Sequence, residues 1–162
     1  MNEKTQRKMF KYLRKKGTEN FVGVPDSTLK FFIDEGLGDK NVIITTREEE
    51  AIGMATGMSL SGSWSLVFMQ NAGFANSISA ITSLVQMYGI PVLFLIGWRG
   101  YLHDDAPEHE KIGRIQPDLL KLIGLESRII AEENWKERCD WALSKIRSGR
   151  SCALVVRRMF HD

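Results

Sequence analysis

VIITTREEEAIGMATGMSLSGSWSLVFM, residues 42–69, is the stretch that decides the fold. The apolar run at 42–45 predicts a strand, the segment of small residues at 48–61 predicts a helix, and a second apolar run at 65–69 predicts another strand. A strand, a helix and a strand in succession are typical of a parallel sheet covered by helices. The same alternation extends in both directions along the chain.

The rest of the chain repeats this pattern. Further strands are predicted at 20–24, 91–97, 127–130 and 152–156, and further helices at 8–16, 27–35, 75–88, 117–123 and 135–148. Six short apolar strands separated by helices predict an α/β fold, namely one doubly wound domain over residues 1–162 with a mostly parallel six-stranded sheet and helices on both faces. The polar segment at 98–114 is predicted to be a loop.

Composition excludes several classes of function. Hydrophobic residues make up 43% of the chain, and the formal net charge of +2 gives no footprint for nucleic acid or an anionic membrane. The apolar stretch at 90–96 is far too short to span a bilayer, and the polar N-terminus is no signal peptide. Cys139 and Cys152 lack metal-ligand spacing and make no disulfide framework. We therefore expect a cytoplasmic protein that binds no metal by itself.

Ligands of open parallel sheets bind beyond the carboxyl ends of the strands. Three successive acids stand at one such end, at residues 48–50. Two capping-box pairings fit there, Thr45 with Glu48 and Thr46 with Glu49. However, three acids exceed what a cap requires, and the helix behind them contains two glycines that cost about 1 kcal/mol each relative to alanine. The residues alone leave both interpretations open, a helix cap and an acid directed into a dry site.

Two other strand ends carry side chains that suit ligand binding. Asp26 and Ser27 follow the first strand, where capping of the next helix is the structural interpretation. The turn at 70–76 contains amides and small residues that could present N–H groups to an anion, but the residues alone favour an ordinary turn with an amide cap. The loop at 98–114 mixes histidine, acidic and arginine side chains, which suit general acid–base work on an anionic substrate. Its alternative is a solvated loop.

Four separate segments together resemble the pyrimidine-binding domain of thiamine-diphosphate enzymes. The resemblance is to phosphonopyruvate decarboxylases and to the alpha subunit of sulfopyruvate decarboxylases. The segments are FVGVPDSTLK (21–30), TTREEEAIGMATGMSLSG (45–62), MQNAGFANSISAITSL (69–84), and YGIPVLFLIGWRG (88–100) followed by APEHEKIGRI (106–115). Their order and spacing agree as well as their content.

The resemblance implies a role for the acids at residues 48–50. Matching Gly57 to a glycine of the family's small-residue helix places the cofactor-activating role on Glu48, which would hydrogen-bond the aminopyrimidine of thiamine diphosphate. The turn with Gln70, Asn71, Gly73 and Asn76 is expected to contact the same cofactor.

The substrate end is assigned in the same way. Asp26 and Ser27 are expected to line it, and His109 in APEH is similar to a histidine of phosphonopyruvate decarboxylases and is expected to be catalytic. Ala106 departs from the acidic residue in that family's stretch. From charge and location, the side chains expected to bind the substrate's anionic end are Arg99, His103 and Arg114.

The chain contains no Gly-Asp-Gly sequence, with which thiamine enzymes bind the diphosphate through a metal. The resemblance therefore implies a hetero-oligomer with a beta subunit that carries the diphosphate and Mg²⁺, and with the small-residue helix at 51–61 as a contact surface. The predicted function is the alpha subunit of a decarboxylase that converts phosphonopyruvate to phosphonoacetaldehyde and carbon dioxide. The alternatives are a sulfopyruvate decarboxylase alpha subunit, a carboligase such as an acetolactate synthase, and a non-catalytic regulatory subunit.

Overall fold

The computed structural model describes residues 1–101 and 105–158. Its centre is a sheet of six strands: β1 (Thr18–Gly23), β2 (Val42–Ile44), β3 (Trp64–Gln70), β4 (Leu93–Trp98), β5 (Ser127–Ile130) and β6 (Cys152–Arg157). Every neighbouring pair is parallel, in the order β2-β1-β3-β4-β6-β5. The predicted α/β fold with a six-stranded parallel sheet is confirmed.

Helices connect the strands and cover both faces of the sheet. They are α1 (Glu3–Lys15), α2 (Lys30–Gly38), α3 (Glu48–Leu60), α4 (Asn71–Asn76), α5 (Ile78–Ala80), α6 (Pro107–Leu122) and α7 (Trp135–Arg147), with a 3₁₀ turn at Ser27–Leu29 and a π-helical segment at Ile81–Gln86. Helices α1, α2 and α7 pack on one face, and α3, α6 and the π-helical segment pack on the other. Within residues 1–101 and 105–158, no helix has both the length and the apolar character that crossing a membrane requires.

The central strands bury side chains on both sides. In β3, Leu66 and Phe68 join the core under α1, whereas Val67 and Met69 join the core under α3. Successive side chains of a strand point to opposite faces, so a sheet covered on both sides requires apolar residues at every position. This explains why the strands appear in the sequence as continuous apolar runs.

The prediction of a loop up to residue 114 is wrong beyond Pro107, where α6 begins. Proline suits the first position of a helix because no N–H is needed there. The helix also continues through Pro117, which has no N–H to donate to the carbonyl of Gly113. The indole Nε1 of Trp98 donates to that carbonyl at 2.8 Å. A tryptophan from β4 thus supplies the donor that the proline lacks.

The helix predicted over 75–88 is interrupted and begins earlier, at Asn71. The Ser77 hydroxyl donates to the carbonyl of Gly73 at 2.8 Å, at the junction of α4 and α5. Hydroxyl bonds of this kind compete with regular helical bonding and bend helices. The interruption makes α4 a separate short helix whose first turn directly follows β3.

Candidate active site

Polar side chains gather at the edge of the sheet where the parallel strands end. Asp26 follows β1, Glu48 follows β2, Gln70 ends β3, Arg99 follows β4 and Arg158 follows β6. Because β1, β3, β4 and β6 are consecutive neighbours in the sheet, these segments are adjacent. This edge is the usual ligand site of open parallel sheets.

The three successive acids at residues 48–50 have different surroundings. Glu50 Oε2 accepts hydrogen bonds from the N–H and the hydroxyl of Thr46, both at 3.1 Å. A carboxylate oxygen of Glu49 lies 3.7 Å from Nε of Arg47. The side chain of Glu48 has no hydrogen bond or ion pair with another residue in the described ranges. Both predicted capping-box pairings are therefore wrong. Glu50 is the acid that bonds to Thr46, and Glu48 takes no part in capping the helix.

The half-buried side chain of Glu48 lies against Gly73 in the first turn of α4. A Cβ atom at position 73 would lie 2.3 Å from Oε1 of Glu48 and 2.5 Å from its carboxyl carbon. No side chain larger than hydrogen fits there without displacing the carboxylate. The position of Glu48 thus depends on the space that Gly73 leaves, and its carboxylate keeps its hydrogen-bonding capacity for a ligand.

Asp26 is a buried carboxyl at the adjacent strand end, only 5% exposed. Its Oδ1 accepts from Nε2 of Gln70 at 3.2 Å, which joins the ends of β1 and β3. Its Oδ2 is buried beside Gly97, where a Cβ atom would lie 1.8 Å away. Burial raises the pKa of Asp26, and the hydrogen bond from Gln70 offsets only part of that shift. The site therefore favours a proton on this carboxyl.

We expect Asp26→Asn to increase the free energy of unfolding at neutral pH. A carboxyl with a pKa raised by folding stabilises the native state fully below its unfolded pKa, about 3.9, and that contribution is lost as the pH rises through the folded pKa. Asparagine keeps an oxygen for Gln70 without the ionisation. The gain of the variant should therefore be present at pH 8 and absent at pH 3.5, as measured by urea denaturation.

Asp118→Asn is the matched control, because Asp118 is exposed and has no ion pair within the described ranges. It should leave the pH dependence of unfolding unchanged. A gain for Asp26→Asn that is the same at both pH values would contradict the burial argument.

Arg99 is fixed by a bidentate ion pair. Its Nε and Nη2 donate to the two oxygens of Asp105 at 2.9 and 2.6 Å. Asp105 also accepts from two backbone N–H groups and lies 3.4 Å from Nη1 of Arg158. The Arg99 guanidinium holds the pKa of the Asp105 carboxyl well below its usual range. The remaining terminal nitrogen of Arg99, Nη1, lies 3.4 Å from the exposed hydroxyl of Ser27.

Asn71 and Asn76, both expected to contact a cofactor, differ in their environments. Asn71 is fully buried, and its amide donates to the carbonyl of Arg99 at 2.8 Å and accepts from the N–H of Arg99 at 3.3 Å. It therefore joins the first turn of α4 to the segment after β4. Asn76 is exposed at the end of α4.

The predicted residues of the polar segment do not form one group. His109 is half-buried on α6, and its carbonyl is so close to Gly100 that a Cβ there would lie 1.8 Å away. Arg114 is exposed on the same helix and pairs with Glu110 at 3.2 Å, one turn earlier. His103 lies outside the described residues.

Sequence reasoning assigns no role to Asp105 and does not single out Arg158. Asp105 carries no motif of its own, and its partners Arg99 and Arg158 come from the segments after β4 and β6, which only the fold brings together. Arg158 directly follows the last strand. The rule that ligands bind beyond strand ends therefore selects it as readily as it selects Arg99.

Comparison with known proteins gives a consistent result. Residues 3–119 match the family described as thiamine pyrophosphate enzyme, N-terminal TPP binding domain. The chain is similar to the sulfopyruvate decarboxylase subunit alpha of Methanococcus maripaludis, at 37% identity over 71% of this chain and 70% of that one. A subunit of the same name from Methanocaldococcus jannaschii is 37% identical over 65% of this chain and 64% of that one. The phosphonopyruvate decarboxylase of Streptomyces viridochromogenes is 34% identical over 72% of this chain but only 30% of its own length.

Proposed function

Because the chain belongs to the thiamine pyrophosphate enzyme family, in which it matches the N-terminal TPP-binding domain, we propose that it is the alpha subunit of a decarboxylase for a small anionic 2-oxo acid. The substrate class is a pyruvate with a phosphonate or a sulfonate at C3. Relatives named for each of these two substrates are similar to the chain, which supports the class as a whole.

The observation that carries the proposal is the carboxylate of Glu48 beside Gly73. It stands at the start of α3, in the space left by the absence of a side chain at residue 73, and it makes no hydrogen bond or ion pair inside the described part of the chain. A carboxyl group in this state fits the ring nitrogen of an aminopyrimidine. Bound thiamine diphosphate supplies the electron sink that a 2-oxo acid needs to lose carbon dioxide. Glu48 would be the residue of this chain that exchanges a proton with this nitrogen.

The first turn of α4 forms the other side of the proposed cofactor site. Gly73 lets Glu48 approach, and Gln70 keeps the neighbouring strand end in place through Asp26. Asn71 contributes by positioning the segment after β4. The exposed Asn76 is proposed to face the cofactor together with them.

Asp26, Ser27 and Arg99 form the proposed substrate end. The raised pKa of Asp26 lets it keep a proton at a buried oxygen beside a site for an anion. The guanidinium of Arg99 is aimed at Ser27 by its ion pair with Asp105, so the cation is oriented before any substrate binds. His109, His103 and Arg114 remain proposals for this end.

We further propose that a beta subunit supplies the diphosphate and Mg²⁺ half of the site. The relatives of similar coverage are named as alpha subunits, which implies a partner for those proteins. On α3 of this chain, Gly53 and Gly57 are exposed, and a Cβ at either position would meet no atom within 4 Å. These glycines, one helical turn apart, make a smooth surface on which another backbone can approach closely. The helix that carries Glu48 is thus the proposed contact with the partner.

The test is carbon dioxide release from the chain mixed with a candidate beta subunit, thiamine diphosphate and Mg²⁺. We expect kcat/KM for phosphonopyruvate or sulfopyruvate to exceed that for pyruvate by at least about tenfold, which corresponds to ~1.4 kcal/mol of transition-state binding. Omission of either chain should abolish release. Equal values for the three substrates would reject the substrate class, and full activity without a partner would reject the split site.

A further inference from the structure

A cleft with three arginines lies at the far end of the strand-end edge, away from Glu48. It has a volume of about 500 Å³ and is lined by Arg128, Arg138 and Arg157, together with Asn134 and Glu133. We call it the arginine cleft. From Gly73, which follows β3, the sheet continues through β4 and β6 to β5. Three strand spacings correspond to about 14 Å, so the arginine cleft is separate from the proposed cofactor site.

The three guanidiniums reach the arginine cleft from three different elements. Arg128 projects from β5, Arg138 from the first turn of α7, and Arg157 is the last residue of β6. Two of them lie over aromatic rings: Arg128 lies 4.7 Å from the centre of the Trp141 ring, and Arg157 lies 4.2 Å from the centre of the Tyr101 ring. Stacking of this kind orients a guanidinium without using its N–H groups. These two cations are therefore ordered in advance of a ligand.

The charge around the arginine cleft is not balanced. Glu137 is shared, at 3.8 Å from Nη1 of Arg128 and 3.3 Å from Nη1 of Arg138. Glu133, at the rim, is exposed. Arg157 has no carboxylate partner within residues 1–101 and 105–158. Three positive charges thus face two negative ones, which leaves an excess of positive charge concentrated in one concave surface.

Two donors in the arginine cleft lack acceptors. The Nε atoms of Arg138 and Arg157 are buried from solvent, and neither has a hydrogen-bond partner in the described ranges. A buried donor without an acceptor destabilises the folded chain, and a charged donor does so more strongly. Both guanidiniums therefore keep donor capacity that no residue in the described ranges uses. The start of α7 adds a favourable field, because helix N-termini attract anions.

We propose that the arginine cleft binds an oxyanion group, a phosphate or a carboxylate, of a small molecule. This site is independent of the proposed decarboxylase function. Arg157 also stacks on Tyr101, two residues beyond Arg99. Arg157 therefore links the arginine cleft to the segment after β4, which carries Arg99.

The proposal is tested by titrating the full chain with inorganic phosphate, and separately with acetate, at constant ionic strength set with chloride. Binding is followed by calorimetry and by tryptophan fluorescence, since Trp141 contacts Arg128. Arg138→Gln and Arg157→Gln are each expected to weaken binding at least about tenfold, because each removes a charge-assisted hydrogen bond. Binding of phosphate alone identifies a phosphate site, and binding of acetate as well identifies a general oxyanion site.

The matched control is Arg14→Gln, which removes an exposed, ion-paired arginine from α1 and should leave the affinity unchanged. Arg157→Lys provides a second variant, which keeps the charge but loses the planar fork, and its affinity should fall between those of wild type and Arg157→Gln. Far-UV circular dichroism checks that each variant is folded. Absence of binding to the wild-type chain, equal weakening by Arg14→Gln, or full affinity in folded Arg138→Gln and Arg157→Gln would each overturn the proposal.

Discussion

Replacing Glu48 by glutamine is expected to lower kcat for decarboxylation by about 10²- to 10⁴-fold, the range that a general acid–base group contributes. Glutamine has nearly the same shape and fits beside Gly73, but it cannot exchange a proton with a ring nitrogen. The free energy of unfolding should change little, because the side chain of Glu48 makes no hydrogen bond or ion pair within the described residues. Steady-state kinetics and urea denaturation of the same preparation measure the two quantities.

Glu49→Gln and Glu50→Gln are the controls for this prediction. Both side chains belong to the same helical turn and carry the same charge, but Glu49 lies near Arg47 and Glu50 bonds to Thr46. They should retain kcat, and Glu50→Gln should lose some stability through the weakened cap. If Glu49→Gln lost as much activity as Glu48→Gln, the assignment of the cofactor-activating acid would be wrong.

The sheet was predictable because its cause is local. Each strand is an apolar run of suitable length, and each separating segment is long enough for a helix, so a parallel sheet covered on both faces follows. The course of α6 was not predictable in the same way. By itself, each of Pro107 and Pro117 indicates the boundary of a helix. Only Pro107 stands at such a boundary, because α6 begins there and continues through Pro117. Trp98 supplies the missing donor at Pro117 from another strand, and no sequence window contains that bond.

The candidate site was also predictable only where its cause is local. Asp26, Ser27, Gln70 and Arg99 stand at strand ends, and the structure joins them by direct contacts. Which acid of residues 48–50 is left without a partner depends on side-chain packing that spacing alone does not determine. The spacing allows a capping box three residues apart, but the contact forms four residues apart, from Thr46 to Glu50.

Two polar groups at this edge have unused hydrogen-bonding capacity. Asp26 is buried with one oxygen unbonded in the described part of the chain, and Glu48 is held without a partner. Such groups reduce stability unless a ligand or a partner completes them. We therefore expect Asp26→Asn to be more stable than the wild-type chain and also a poorer catalyst.

Gly73→Ala is expected to lower kcat about 10²-fold, although residue 73 has no chemistry of its own. Its new methyl group would lie 2.3 Å from Oε1 of Glu48, so the carboxylate must move by an ångström or more. Misplacement of a catalytic group by about 1 Å costs about 10²-fold in rate. Gly38→Ala is the control, because a Cβ there meets no atom within 4 Å and the variant should keep full activity.

A double variant separates displacement of Glu48 from general damage to the fold. If Gly73→Ala acts only by moving the carboxylate, then the double variant Gly73→Ala, Glu48→Gln should have a kcat at most a few-fold below that of Glu48→Gln. Independent effects would instead multiply, because mutations at sites that do not interact add in free energy. A multiplicative loss, or a lowered melting temperature that accounts for the lost activity, would show that Gly73 serves the fold and not the position of Glu48. A non-additive loss would place the glycine and the glutamate in one functional unit, with the small residue setting where the acid stands.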